Sequence, residues 1–324
     1  MKKKFRLVPY SLDTVEKTVD EIPDGVKMIE APHLWDEGFK GEDIVVAIID
    51  TGCQTDHPDL QDRIIGGCNF TTDWDDDATC YEDNNGHGTH VAGTIAALDN
   101  GSGVVGVAPR VKLLILKVLS KDGSGSYAWI TDGIKYATNW KGPNGECVRV
   151  ISMSLGGPDD NPELRQAVQE AVVKQICVVV AAGNDGDNEE TTFEYNYPAS
   201  YNEVIEVAAA DITGKLASFS NNNTEVDVIA PGVNILSTWL KGKYARLSGT
   251  SMATPHVAGA LALLIQKGEY EFNRTLTESE IYALLVKRTV PLGYKTSSEG
   301  HGLVKLSYME KVRSLLNFIE ENFE

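Results

Sequence analysis

Short β-branched runs alternate with helix-length segments through most of this chain, and that alternation limits the fold more than any other feature. Ile44 to Ile49, Lys112 to Leu119, Arg149 to Met153, Cys177 to Ala181 and Val204 to Ala209 read as strands. Gly88 to Leu98, Tyr127 to Trp140, Pro162 to Lys174 and Ser251 to Gln266 read as helices. A helix between two strands returns the chain to the same end of a sheet and covers one face of it. The expected fold is therefore α/β: a doubly wound, mostly parallel sheet with helices on both faces, in which sites form at the carboxyl ends of strands. No repeat or low-complexity linker interrupts the pattern. One domain is expected over residues 20–324, with residues 1–19 standing apart.

Composition removes several classes. The 324 residues are 42% apolar, enough for a large core without disulfide staples. Lys plus Arg number 29 against 47 Asp plus Glu, and a net charge of −18 repels both a phosphate backbone and an anionic bilayer. The longest apolar runs, such as Ala258 to Ile265, are core-sized. No nucleic-acid partner and no membrane span are expected. Cys53, Cys68, Cys80, Cys147 and Cys177 are odd in number and include no CxxC pair, which fits reduced thiols in a cytosol. The basic start Met1 to Arg6 is not followed by the apolar stretch of a secretion signal.

Three glycine-framed stretches carry groups that make chemical sense together. Asp50 closes the run ending Ile48-Ile49 and precedes Thr51-Gly52, where an aspartate alone commonly starts a turn. His87 stands in Asn84-Asn85-Gly86-His87-Gly88-Thr89-His90-Val91-Ala92-Gly93, and a lone histidine at a helix start needs no function. Ser251 stands in Ser248-Gly249-Thr250-Ser251-Met252-Ala253-Thr254-Pro255-His256, before the most apolar helix, where a lone serine is an N-cap. Pro255 is expected in the first turn of that helix, where a missing NH is tolerated. One acid, one imidazole and one hydroxyl are the set that an activated serine nucleophile requires.

The order Asp, His, Ser with these local sequences resembles the subtilisin family of serine proteases, over about Gly25 to Leu264. The resemblance implies that Ser251 attacks a peptide carbonyl, His87 takes its proton and Asp50 orients the imidazole. The first His of His-Gly-Thr-His is then the base, which leaves His90 structural. Asn184, in Ala181-Ala182-Gly183-Asn184-Asp185-Gly186, would form the oxyanion hole with the Ser251 backbone NH. The segments Gly123-Ser124-Gly125 and Ser154-Leu155-Gly156-Gly157 would sandwich a protein or peptide substrate as an added strand. Ser154 to Gly156 and Ala181 to Gly183 would wall the pocket for the residue before the scissile bond, with Asn196 near its floor.

The same resemblance implies structural Ca2+. Asp59 would give a carboxylate, and Leu98, Asn100, Ser102 and Val104 would give oxygens from a tight loop, although a solvated Asn-Gly turn is the plainer reading of that loop alone. A weaker site would use Ala199, Tyr201 and Val204 with Glu225 and Asp227, carboxylates that otherwise serve solubility.

Four of the first six residues are basic and none is acidic, which leaves 25 basic against 47 acidic residues in the remainder, a charge of −22. A cationic arm on an anionic body is expected to fold back on it. With Leu7-Val8-Pro9-Tyr10 and the acidic body, the chain resembles the intracellular subtilisins, which implies a cytoplasmic, typically dimeric enzyme inhibited by its own short propeptide. Leu7 to Tyr10 is then expected to pair against Gly123 to Gly125 and Ser154 to Gly157, with Pro9 disturbing the ladder and holding its carbonyl away from Ser251. The amphipathic tail Val304 to Phe323 suits either packing on its own core or a homodimer. Two rivals remain: a catalytically silent binding protein on the same fold, and a metallohydrolase using His87 and His90, which lacks an HExxH pattern.

Overall fold

The computed structural model describes residues 5–189 and 191–323. Among them a nine-stranded sheet runs in the order Thr289–Val290, Leu303–Val304, Val226–Pro231, Ile205–Ala210, Cys177–Ala181, Val148–Met153, Val45–Asp50, Lys112–Lys117, Ile64–Asn69. Neighbours are parallel except Thr289–Val290, which runs antiparallel to Leu303–Val304. The doubly wound α/β expectation holds, and each expected strand recurs within two residues of its place.

Alternate side chains of the central strand enter different cores. Val46 and Ile48 pack with Val91, Ile95, Val257 and Leu261, while Val45, Ala47 and Ile49 pack with Ile130, Ile134, Leu164 and Val168. The helices His87–Ala96 and Thr250–Phe272 thus cover one face, and Tyr127–Asn139 and Pro162–Val173 the other. Burial on both faces is why these strands are unbroken apolar runs in sequence. Each such valine, leucine or isoleucine contributes about 1.5–3 kcal/mol by burial, and truncating Ile48 to alanine would cost about 2–5 kcal/mol.

Val45–Asp50 comes early in the chain yet lies inside the sheet. From it the chain builds Ile64–Asn69 and Lys112–Lys117 on one side, then crosses to Val148–Met153 on the other. Its carboxyl end is therefore the switch point, where diverging loops leave a crevice. Asp50 is the last residue of that strand.

Val226–Pro231, Ile235–Trp239, Lys243–Ser248 and Glu278–Val286 were also not expected, and two further departures have clear physical reasons. Ile64–Asn69 is missed because Gly66-Gly67 breaks its apolar run, yet a Cβ on Gly67 would come within 2.6 Å of the Ile115 carbonyl and the Tyr81 ring. The helix expected to end at Gln266 runs over Thr250–Phe272. Its residues Thr250 to Ile265 are buried on every side, so no polar stripe marks its course. Pro255 consequently lies past the first turn. Its missing NH frees the Ser251 carbonyl from the helix ladder, and the Ser154 hydroxyl donates to that carbonyl at 2.9 Å.

The amino-terminal segment belongs to two further sheets. Phe5–Leu7 lies antiparallel between Ser124–Gly125 and Leu155–Gly156, and Ser11–Glu16 lies antiparallel to Lys243–Ser248. Lys2, Lys3 and Lys4 of the expected cationic arm lie outside the described residues. At the other end, Val304 and Leu306 are buried, whereas the helix Tyr308–Phe323 exposes Leu315, Leu316 and Ile319. Among the described residues, Val304 and Leu306 are the last fully buried apolar residues of the tail, with Met309 and Val312 half-buried beyond them. Ion pairs Arg288–Glu310 at 3.0 Å and Lys311–Glu30 at 2.8 Å hold the start of that helix. No helix among the described residues is long and apolar enough to cross a membrane.

Candidate active site

Asp50 is 1% exposed, and its Oδ1 accepts from the Thr51 NH at 2.7 Å and lies 2.8 Å from His87 Nδ1. The proton on that ring nitrogen is thereby directed to the carboxylate, leaving Nε2 for the crevice. His87 opens its helix after Gly86, whose φ of 112° favours glycine. Gly88 permits the approach of the Asp50 turn, since a Cβ there would sit 2.1 Å from the Gly52 carbonyl.

Asp83, which sequence reading passed over, fixes both partners. One oxygen accepts from the Thr51 hydroxyl and from the NH groups of Asn85 and Gly86, and the other accepts from the NH and hydroxyl of Thr89. An acid three residues before a Gly-His helix start was the available signal. Lys117 is likewise buried and was passed over. Its Nζ donates to the carbonyls of Thr51 and Leu119 and to Asn84, and pairs with Asp73 at 3.1 Å.

Ser251 is the second residue of its helix and fully buried. Its hydroxyl donates to the Ser154 carbonyl at 3.2 Å, and His87 Nε2 is buried with no partner. Asn184 follows the Cys177–Ala181 strand, and its Oδ1 accepts from both the NH and hydroxyl of Thr250 at 2.9 Å. That fixes the amide, so Nδ2 is the end offered to a carbonyl. Asn221 supports the turn from below, accepting from the Asp185 NH at 2.7 Å and donating to the Ala182 carbonyl at 3.0 Å. Gly156 and Gly183 both face Asn196, with built Cβ atoms 2.8 and 3.1 Å from its side chain, so a wall from each expected segment meets at that residue.

The groove segments hold the chain's own amino terminus. Arg6 pairs with Gly156 and Ser124, Leu7 with Leu155, Phe5 with Gly125, and the Leu7 NH donates to the Gly123 carbonyl at 2.8 Å. This corrects the expected register. The paired residues are Phe5–Leu7 rather than Leu7 to Tyr10, because Pro9 has no NH to extend the ladder. Val8 is buried, and the Pro9 carbonyl is not held clear of the crevice, since it accepts a hydrogen bond from Asn184 Nδ2. The Tyr10 ring lies 5.0 Å from the His87 ring, and burial, with Asp50 and Asp83 nearby, raises its phenol pKa.

His90 does not join His87 at a metal. It is fully buried with Nε2 within 3.0 and 3.1 Å of the Ile235 and Ala245 carbonyls, and burial lowers its pKa to about 3. It is a neutral donor tying two strands together.

Asp59 is fully buried, and its oxygens accept from Val104 N at 3.1 Å and Asn100 Nδ2 at 3.5 Å, with the Tyr244 hydroxyl as a further hydrogen-bond partner. A Cβ on Gly103 would collide with Asp59 Oδ2 at 2.1 Å, so the loop closes tightly on the carboxylate. Asn100 and Val104 thus lie beside a buried carboxylate, the kind of oxygen ligand that a hard cation takes. The weaker candidate fits less well. Asp227 accepts from the Tyr282 hydroxyl at 2.6 Å and the Glu206 NH at 2.8 Å, while Ala199, Tyr201 and Val204 pack into the core and Glu225 accepts from the Thr224 hydroxyl.

A crevice that presents a serine hydroxyl and an imidazole held by a buried carboxylate, with an amide already on a peptide carbonyl, suits acyl transfer. The chain falls among the α/β serine hydrolases. More narrowly, residues 41–304 match the Subtilase family (Peptidase_S8), and the chain belongs to that family and is a serine protease. It is 54% identical over 317 residues to the "Intracellular serine protease" of Paenibacillus polymyxa, covering 98% of this chain and 95% of that relative. It is 51% identical over 308 residues to the "Major intracellular serine protease" of Bacillus subtilis (strain 168), covering 95% of each. "Subtilisin DY" of Bacillus licheniformis is 44% identical over 285 residues, 88% of this chain and 97% of that one.

Proposed function

We propose that this chain is an intracellular serine endopeptidase that works through Asp50, His87 and Ser251 and is held inactive by residues 1–19 until they are cut away. The observation that carries the reading is the hydrogen bond from Asn184 Nδ2 to the Pro9 carbonyl, at the end of a strand laid between Ser124–Gly125 and Leu155–Gly156. A peptide carbonyl on that amide is where a substrate would react.

In this reading a substrate pairs as Phe5–Leu7 now does and presents its carbonyl to Asn184 and the Ser251 NH. The Ser251 hydroxyl turns from Ser154 to His87 Nε2, which takes its proton as Oγ bonds to the carbonyl carbon. Asp50 stabilises the imidazolium, and the same proton passes to the leaving amine. Water then repeats the sequence to release the acyl group. Calcium at Asp59, with Leu98, Asn100, Ser102 and Val104, would supply charge that the buried carboxylate lacks. The exposed Leu315, Leu316 and Ile319 support a homodimer through the tail helix. Cleavage of casein by the full-length protein after a lag, absent in Ser251→Ala, tests the reading. Casein left uncut would exclude it.

A further inference from the structure

We propose that the cavity beside Ser124–Gly125 is a substrate subsite that selects cationic side chains on the amino-terminal side of the cleavage site. The proposal rests on the proteolytic reading above and names a substrate preference for it.

The cavity has a volume of about 960 Å³ and is lined by Ser126 and Tyr127 and by the acidic residues Asp122, Asp159 and Glu163. Lys121 is the one cation among its lining residues, and Asp73, which also lines it, is matched by buried Lys117. It is separate from the place that holds Phe5. That ring is fully buried and meets Tyr127 edge-on at 4.5 Å, so Tyr127 stands as a wall between the two.

Register shows what a bound strand would bring there. Phe5 lies opposite Gly125, and Arg6 and Leu7 lie opposite Gly156 and Leu155. A substrate strand continued beyond the place of Phe5 would set its next residue opposite Ser126 and Pro158, and the following one opposite Tyr127 and Asp159. Of these, Ser126, Tyr127 and Asp159 line the cavity, where Asp122 and Glu163 outnumber the cation Lys121 even after Asp73 and Asp159, which have interactions of their own, are set aside. The chain's own sequence before Phe5 is Lys2-Lys3-Lys4, the charge that such a subsite would choose. A lysine on either residue gains attraction and a glutamate meets repulsion, both of the partly exposed and salt-sensitive kind.

The test uses full-length protein incubated until its activity is constant. Fluorogenic peptides keep phenylalanine at the place of Phe5 and carry Lys, Gln or Glu at the two residues before it. At low ionic strength kcat/KM for the lysine peptide should exceed that for the glutamate peptide by about tenfold, and the ratio should shrink toward one near 0.5 M salt (about a 3–5 Å screening length). Asp122→Asn with Glu163→Gln should collapse the ratio, and Asp122→Lys alone should reverse its direction. Equal kcat/KM for the three peptides, or a preference untouched by salt and by these substitutions, would overturn the subsite. Failure to cut any peptide would overturn the proposed function, and the subsite with it.

Discussion

Ser154 and Ser251 each donate a hydroxyl to the other's carbonyl, at 2.9 Å from Ser154 and 3.2 Å from Ser251. The first bond is possible because Pro255 leaves the Ser251 carbonyl outside the helix ladder. The second directs the Ser251 hydroxyl to Ser154 rather than to His87 Nε2, which has no partner. At 3.2 Å it lies beyond the usual range for O–H···O bonds, a weak restraint that one bond rotation replaces. Tyr10 lies against the imidazole, and Ser251 and His87 are not hydrogen-bonded to each other.

Removing the nucleophile should stop chemistry without disturbing the fold. Ser251→Ala is expected to lower turnover by about 10⁶, a magnitude known for subtilisins, and Asp50→Asn by about 10⁴. Steady-state cleavage of a fluorogenic peptide measures both, and thermal unfolding checks that Ser251→Ala keeps the native melting temperature.

Asn184 should matter twice. Asn184→Leu is expected to lower kcat by about 10²–10³, the range known for the equivalent donor in subtilisins. The same amide holds Pro9, so the substitution should also loosen the segment in the groove. Faster hydrogen exchange at the Leu7 amide, measured in a Ser251→Ala background, is the expected sign. An unchanged exchange rate would mean that the Pro9 bond contributes nothing to retention.

A protein beginning near Asp20 should be active at once, whereas the full chain should show a lag that Pro9→Ala shortens. Binding separates occupancy from mere delay. Full-length Ser251→Ala should bind a labelled substrate peptide more weakly than the shortened Ser251→Ala form, and equal affinities would show that the segment does not block the groove.

Calcium should raise the stability of Ser251→Ala protein by about 2.7 kcal/mol at hundredfold excess over Kd, seen as a rise in melting temperature of about 5 °C. Asp59→Asn should abolish the response. A response that survives Asp59→Asn would place the ion elsewhere.

His90 gives a pH dependence of stability. Its folded-state pKa of about 3 lies below the ordinary imidazole value of 6.5, so the unfolded chain takes up the proton first. The stabilisation is complete above pH 6.5 and is lost as pH falls toward 3, by roughly 5 kcal/mol in all. Melting temperatures of Ser251→Ala protein from pH 7 to 4 should fall steeply. Adding His90→Gln should lower stability at pH 7 but flatten that slope, and parallel curves would exclude His90 as the source.

Much of this was legible before any coordinates. Strands buried on both faces, such as Val45–Asp50 and Cys177–Ala181, show themselves as apolar runs, and Asp50, His87, Ser251 and Asn184 lie in motifs that a sequence carries whole. Ile64–Asn69 was hidden because its glycines serve the approach of Tyr81 rather than a turn. Asp83, Lys117, Thr250 and Asn221 act through contacts between distant segments, and nothing in their immediate sequence names the partner. The register of Phe5–Leu7 turns on where the proline ends a ladder, which depends on the groove as much as on the segment.

The amino-terminal segment is anchored on both sides of the catalytic centre, by Phe5–Leu7 in one sheet and Ser11–Glu16 in another. While the chain is whole, each anchor keeps the other at an effective concentration set by three intervening residues, so either can let go and return. A single break between them ends that avidity. Each fragment must then hold on its own few backbone bonds, and the shorter one is free to diffuse away. In the proposed zymogen, a two-handed grip would make inhibition strong while intact and end it with one cut.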